Sequence, residues 1–213
     1  MSTKQTTPKL SLPLEIGNAI SHGVAAALAI AGLVVMIVHA AHLGGALRIV
    51  TETIYASVLV LFFLSSTLFH SLIFTRASHV FRVFDHAMIY LLIAASYTPV
   101  CLVAIGGWQG WTLFGIEWFL AVCGVVYKSI WLRKKSAWST LIYVLMGWLC
   151  VACFPILWHT LSRPGFYLLL TGGIIYTLGA GVYLFKLPAA HFIWHFFVIA
   201  GSACVYFTIL LYV

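Results

Sequence analysis

The chain has 213 residues, of which 63% are hydrophobic and only 7% are charged. Soluble domains carry roughly one-quarter charged residues, so this composition excludes a soluble protein and indicates one that crosses a membrane several times. The net charge of +7 does not indicate a nucleic-acid partner, because the basic residues form no basic domain and are better explained as topology signals.

Polar and Gly/Pro-rich breaks divide the chain into seven apolar runs, each near the ~20 residues needed to span a hydrocarbon core. The predicted spans cover residues 17–41, 50–73, 84–105, 111–131, 138–158, 165–185 and 190–212. Residues 1–15 are polar and lack the pattern of a secretory signal, so we expect them to be retained as a short N-terminal segment. We predict an all-α, seven-transmembrane helix bundle that forms one domain over residues 1–213.

The basic residues predict the orientation of this bundle. Nine lie on the N-terminal side of the predicted membrane and two on the other side. The nine are Lys4, Lys9, Arg76, Arg82, Lys128, Arg133, Lys134, Lys135 and Lys186, and the two are Arg48 and Arg163. The positive-inside rule therefore predicts a cytoplasmic N-terminus and a C-terminus across the membrane. This orientation is opposite to that of G-protein-coupled receptors.

Small residues at four-residue spacing predict close helix packing at two places. They are Ser21, Ala25 and Ala29 in the first helix and Gly173, Thr177 and Gly181 in the sixth. Pro99 and Pro155 lie within the third and fifth predicted helices and are expected to kink them. The five cysteines are scattered through apolar runs, and we interpret them as packing residues rather than disulfides or metal ligands.

Ionisable residues from three helices are predicted to share one shallow layer on the cytoplasmic side. At 1.5 Å per residue, His191 and His195 lie about 8 to 14 Å past the charged edge at Lys186, and they share one helix face. His70 lies about 9 Å deep at the end of the second helix, and Asp85 about 5 Å deep at the start of the third. Buried ionisable groups in a membrane are costly, so each one calls for a partner or a purpose.

Three imidazoles with an open fourth position form the ligand set of catalytic zinc sites. Such a site needs a general base or a group that orients water, and Asp85 fits this role; Ser66 lies one helical turn before His70 and could stabilise an oxyanion. The alternatives stay open at this point. Each histidine taken alone could be an interfacial or hydrogen-bonded packing residue, and Ser66 could simply bond its own helix backbone.

The stretch "EIGNAISH" places Glu15, Asn18 and His22 on one face at the start of the first helix. These residues either form the polar face of an amphipathic helix start or hydrogen-bond to the metal ligands without binding the metal themselves. In the second case, the Glu15 carboxylate could orient an imidazole. His86 could support the same site or pair with Glu15. The remaining histidines are expected to be interfacial or solvated: His39, His42 and His159 on the opposite side, and His79 in the loop between the second and third helices.

Four stretches taken together resemble the bacterial hemolysin III family, the prokaryotic branch of the progestin and adiponectin receptor superfamily. They are "EIGNAISH", "SSTLFH", "FDHAMIYLLIAASYTP" and "HFIWH". The resemblance covers essentially the whole chain, and the combination of Ser-x-x-x-His, a following Asp and a terminal His-x-x-x-His is specific.

This resemblance implies a bundle with a cytoplasmic N-terminus in the bacterial inner (plasma) membrane, and a zinc ion held by His70, His191 and His195. It also implies that Asp85 contacts the zinc-bound water and that Ser66 stands near it. Alkaline ceramidases share this layout and hydrolyse a lipid amide.

Three functions follow as hypotheses. The favoured one is a zinc-dependent hydrolase of a lipid amide or ester that acts in membrane lipid homeostasis, with Asp85 as the proton acceptor and Ser66 near the oxyanion. The alternative is a non-enzymatic regulator or lipid sensor in which zinc joins two helices as a structural ion. A pore-forming cytolysin is the third, and the strongly apolar spans argue against it. A membrane lipid is the expected substrate or ligand; the sequence does not identify a protein partner.

Overall fold

The protein, described here from a computed structural model, is a helical bundle with seven segments long and apolar enough to cross a membrane. The structure describes residues 11–131, 137–185 and 187–213. The helices are α1 (Leu12–Leu43), α2 (Ala46–Ser71), α3 (Ser78–Pro99), α4 (Gly107–Trp131), α5 (Ala137–Gly147), α6 (Phe154–Thr160), α7 (Arg163–Leu184) and α8 (Ala190–Tyr212). The third span continues beyond α3, and α5 and α6 together form the fifth. The all-α, seven-span prediction is confirmed.

Four helices begin at least four residues earlier than the apolar pattern predicted. α1 starts at Leu12, α2 at Ala46, α3 at Ser78 and α4 at Gly107, because polar residues and glycines at the membrane edge continue the helix rather than break it. His79 therefore lies in the first turn of α3, and its predicted loop position was wrong, although its side chain is exposed as expected. Because α1 begins at Leu12, Glu15 lies within the helix rather than before it.

Both predicted kinks coincide with departures from regular α-helix. Pro99 is the last residue of α3 and is followed by a π-helical turn, Val100–Ile105. The fifth span is broken between α5 and α6 by a 3₁₀ turn, Leu149–Cys153, with Pro155 in the first turn of α6. The Tyr97 hydroxyl bridges this break: it donates to the Gly147 carbonyl at 2.8 Å and accepts from the Cys150 N–H at 2.9 Å. Backbone groups freed inside the membrane are thereby satisfied.

The sixth span packs closely through a different glycine face from the one predicted. Gly181 has open space around it, and Thr177 accepts a hydrogen bond from the Trp148 indole. Close approach to α8 instead uses glycines spaced by seven, Gly165, Gly172 and Gly179. A Cβ on Gly179 would lie 2.5 Å from Cβ of Phe197. A pattern of small residues indicates that a helix can pack closely, but it does not identify which face of the helix contacts the neighbour.

In the first helix, Ala25 and Ala29 are buried as expected of a packing stripe. α1 packs against α2 and α8. Ser21 has a further role described below, because its hydroxyl reaches across to α8.

Two carboxylates that sequence analysis did not discuss are buried within the bundle. Glu52 pairs with Arg48 at 3.3 Å, at the opposite end from His70. Glu117 lies near the middle of α4 with 0% of its surface exposed, and neither carboxyl oxygen has a hydrogen-bond partner among the described residues. An unpartnered polar group in an apolar interior costs about 1–3 kcal/mol by mutational data.

We therefore expect Glu117→Met to raise the thermal unfolding temperature of the purified protein in detergent, because methionine fills similar space without an unpaired carboxyl. Glu52→Met is the matched control: it strips Arg48 of its partner and should leave stability unchanged or lower it. The measurement is the unfolding midpoint of the two variants and the parent. A lower midpoint for Glu117→Met would show that Glu117 has a stabilising partner.

Candidate metal centre

Three histidines from two helices meet at one end of the bundle. His70 is one residue before the end of α2, and His191 is one residue after the start of α8. His70 Nε2 lies 3.1 Å from His191 Nε2, which lies 3.3 Å from His195 Nε2. One ring nitrogen from each of the three falls within 4.8 Å of the others, so they could hold a metal ion. The predicted grouping of these histidines is therefore present.

The opposite nitrogens of two of these rings are fixed by residues of α1. Glu15 Oε2 lies 2.6 Å from His70 Nδ1, and Asn18 Nδ2 approaches the same nitrogen at 3.5 Å. Ser21 Oγ lies 3.1 Å from His195 Nδ1. α1 thus contacts imidazoles on both neighbouring helices, in the positions that outer-shell partners of metal ligands take.

These contacts favour one tautomer for each of two neutral rings. When His70 Nδ1–H donates to the Glu15 carboxylate, His70 Nε2 presents a lone pair. The Ser21 hydroxyl lies within hydrogen-bond distance of both the Asn18 carbonyl, at 3.0 Å, and His195 Nδ1; when it donates to the carbonyl, it accepts from His195 Nδ1–H and leaves a lone pair at His195 Nε2. In this arrangement both lone pairs face His191 Nε2, whose single proton can satisfy only one of them. A cation between the three nitrogens would satisfy both.

The spacing of the nitrogens fits a metal with tetrahedral coordination. Zinc–nitrogen bonds of about 2.0–2.1 Å at tetrahedral angles place neighbouring ligand nitrogens roughly 3.3 Å apart. The two observed separations, 3.1 and 3.3 Å, match this value. No carboxylate or thiol of the described residues joins the histidine group, so these residues offer three possible ligands and no fourth.

His22 fixes the ring of His195 from the side. The two rings stack with centroids 3.6 Å apart and an interplanar angle of 15°, and both side chains are buried. His22 does not belong to the ligand group. The ring contact places His22 beside the histidine group, and its role in supporting metal ligands stays a prediction.

Asp85 and Ser66 line the same cavity as His191 and His195. Both side chains are buried, and Ser66 Oγ has no hydrogen-bond partner among the described residues. Asp85 Oδ2 lies 3.4 Å from His86 Nδ1, which also approaches the Arg82 carbonyl at 2.9 Å. The structure pairs His86 with Asp85, while Glu15 pairs with His70, so the alternative pairing of His86 with Glu15 was wrong.

A cavity of about 440 Å³ extends from the histidines into the bundle. Its far part is lined by apolar side chains, among them Val100, Phe154, Leu157, Phe166 and Val205. Val205 follows His191 by fourteen residues, so the cavity reaches about 20 Å along the helix axis. This exceeds the ~15 Å thickness of one hydrocarbon leaflet. The shape suits an extended apolar chain with its polar end near the histidines.

Sequence analysis missed two residues at this end of the bundle. Ser21 was assigned to a packing stripe, but it bonds to His195. Lys128, at the end of the predicted fourth span, was used only as a topology signal, but its side chain is only 4% exposed and lines the cavity. One signal pointed to Ser21: it lies three residues after Asn18 and six after Glu15, on the polar side of "EIGNAISH". For Lys128, the sequence contains no pattern that distinguishes a buried lysine from one that extends into water at a helix end.

The geometry can be compared with known proteins. A family model described as haemolysin-III related matches residues 10–206. Hemolysin-3 of Bacillus cereus is 43% identical over 214 aligned positions, covering 100% of this chain and 98% of that protein. The hemolysin-3 homolog of Bacillus subtilis (strain 168) is 42% identical and covers 93% of each chain.

The similarity extends to animals. The human monocyte to macrophage differentiation factor is 31% identical over 169 residues, covering 75% of this chain and 69% of that protein. The family match spans nearly all of the described residues, including the three histidines that could hold a metal ion. The chain therefore belongs to the haemolysin-III-related family of membrane proteins.

Proposed function

We propose that this protein is a zinc-dependent hydrolase of an amide or ester bond in a membrane lipid. One observation carries the proposal: an open group of three histidines lies at the mouth of a long apolar cavity. Three protein ligands with a free position are typical of catalytic zinc sites, whereas structural sites are closed by four. A zinc ion bound there would polarise the lipid carbonyl and make hydroxide available near neutral pH.

Zinc is the proposed metal because all three ligands are imidazoles at tetrahedral spacing. Glu15 and Ser21 prepare the site by holding the Nδ1 protons of His70 and His195. This turns both Nε2 lone pairs toward the ion. Glu15 also makes its histidine a more basic ligand, as carboxylates beside ligand histidines do.

Asp85 and Ser66 have separate roles in the proposed reaction. Asp85 accepts a proton from the attacking water and returns it to the leaving group, and the nearby His86 imidazole holds the carboxylate in place. The Ser66 hydroxyl, buried and without a protein partner, donates a hydrogen bond to the oxyanion that develops on the carbonyl. The lipid chain in the apolar cavity fixes the scissile bond relative to these groups.

The alternative of a structural zinc that joins two helices is less well supported. Such a site needs a fourth protein ligand, and Asp85, which lines the same cavity, would be the natural candidate. Asp85 contacts His86 instead and does not belong to the histidine group. The name hemolysin-3 of the Bacillus relatives raises a pore-forming function, but the far part of this cavity is apolar and does not suit a water-filled channel.

We further propose that the site faces the cytoplasm from the bacterial plasma membrane, with a role in membrane lipid homeostasis. All described basic residues other than Arg48 and Arg163 lie at the histidine end of the bundle. The positive-inside rule assigns that end to the cytoplasm. Labelling of single cysteines introduced at Arg76 and Arg163 in intact cells tests this orientation directly.

Glu15→Gln is expected to weaken zinc binding by about 10- to 100-fold, because the neutral amide still bonds His70 but no longer raises its basicity. The measurement is a competition titration of the purified protein with a chelator of known affinity. Glu52→Gln, which alters a buried carboxylate at the opposite end, is the matched control and should bind zinc like the parent. Equal zinc affinity in all three proteins would remove Glu15 from the site.

Asp85→Asn is expected to lower turnover by about 10²- to 10⁴-fold while zinc remains bound, since the amide cannot accept the proton. The measurement is product formation, by mass spectrometry, from a panel of lipid amides and esters offered to purified protein in lipid nanodiscs. Loss of zinc from the variant would make Asp85 a structural ligand. Absence of hydrolysis by the parent across both bond classes would overturn the proposed activity.

A further inference from the structure

Lys128 is a buried cation at the rim of the cavity. It lies three residues before the end of α4, so its depth corresponds to the head-group region at the histidine end. Its side chain is 4% exposed and lines the cavity together with Ser139, Thr140 and Tyr143. Its ammonium nitrogen lies 5.9 Å from the Tyr127 ring centroid, at the outer limit of a cation–π contact.

The chain supplies no anion for this lysine. The whole sequence contains four acidic residues, and all four lie in the described part of the structure. Glu15 bonds to His70, Glu52 pairs with Arg48 at the opposite end, and Glu117 lies in the membrane interior. The fourth, Asp85, contacts His86, and no carboxylate lies within 4 Å of the Lys128 ammonium among the described ion pairs.

Lysines at membrane edges usually extend their charged heads toward water, a behaviour called snorkelling. Arg76 and Arg82 at the same end of the bundle are exposed in this way. Lys128 is held inward although the end of its helix is only three residues away. A cation in this position is costly unless an anion accompanies it.

We propose that Lys128, with the hydroxyls of Ser139 and Thr140, binds the phosphate of a lipid head group whose chain occupies the cavity. An ammonium and two hydroxyl donors match the several acceptor oxygens of a phosphate better than the two of a carboxylate. The chain linkage of a phospholipid lies between its phosphate and its apolar chain. Lys128, His191 and His195 line the same cavity, so a phosphate at Lys128 and a chain in the far part place this linkage in the cavity that the histidines also line.

The inference therefore defines the lipid class as a phospholipid. It rests on the proposed function only in taking a lipid as the occupant of the cavity, and it holds whether that lipid is a substrate or a ligand. It also explains why a buried lysine with no anionic partner stands in the cavity wall.

The test measures lipid binding to the purified full chain by native mass spectrometry in an uncharged detergent. The probes are an ether-linked lysophosphatidate, the ether-linked glycerol with the same chain, oleate and inorganic phosphate. The ether bonds cannot be hydrolysed, so binding is measured independently of turnover. We expect the parent to bind the phosphate-bearing lipid about tenfold or more tightly than its uncharged counterpart.

Three variants locate the effect. Lys128→Met should abolish the preference for the phosphate, Lys128→Arg should retain it, and Arg76→Met, which removes an exposed charge from the same end, should leave it unchanged. Lys128→Met removes an unpaired cation and is expected to fold. Should it not fold, the Ser139→Ala/Thr140→Val double variant replaces it, with a weaker preference expected.

Four results would overturn the inference: no preference in the parent, a full preference in Lys128→Met, oleate binding as tightly as the lysophosphatidate, or inorganic phosphate competing as well as the lipid. The result is separable from the proposed activity. A phosphate preference without any hydrolysis would overturn only the hydrolase proposal, and hydrolysis without the preference would overturn only this inference.

Discussion

The first, second and last helices meet where the nitrogens of three histidines converge, at one end of the bundle. When Glu15 and Ser21 of α1 accept from the two Nδ1 positions, two of the rings present lone pairs to the third across 3.1 and 3.3 Å. The single proton of the third ring can satisfy only one of them. Without a cation, this arrangement would leave opposed lone pairs in a low-dielectric environment, where such repulsion is strong.

The distribution of charge follows from the same constraint. The chain has only four acidic residues, and two of them, Glu15 and Asp85, lie at the histidine end. The cavity begins there and runs about 20 Å into the apolar interior. The histidine, aspartate and lysine side chains that line the cavity lie at that end, and the remaining space accepts an apolar chain. A lipid is divided in the same way, because its head group and polar linkage lie at one end and its apolar chain at the other.

Much of the fold could be predicted from the sequence, because membrane spans are defined by length and hydropathy. The depth argument also brought together His70, His191 and His195, since position along a helix determines depth in the membrane. The predictions that were wrong concern the rotation of a helix about its own axis, which depth in the membrane does not determine. The face of α7 that meets α8 was assigned incorrectly, because several small-residue stripes fit the same helix and only the partner surface selects one.

The direction of side chains near the helix ends could not be predicted from the sequence either. Ser21 satisfies a packing pattern and a hydrogen-bonding role equally well, and only the position of His195 distinguishes them. Lys128 lies where a lysine ordinarily reaches into water, and its inward orientation depends on the cavity beside it. The burial of Glu117 was not predicted because this residue belongs to no motif. Its burial without a partner becomes visible only when the neighbouring helices are in place.

The central claim is that His70, His191 and His195 bind one metal ion. Its most direct test is the metal content of the detergent-purified protein by inductively coupled plasma mass spectrometry, beside the His191→Ala/His195→Ala double variant. The account predicts about one zinc per chain in the parent and none in the variant, with both proteins folded. A folded parent without metal, or a variant that keeps its zinc, would contradict it.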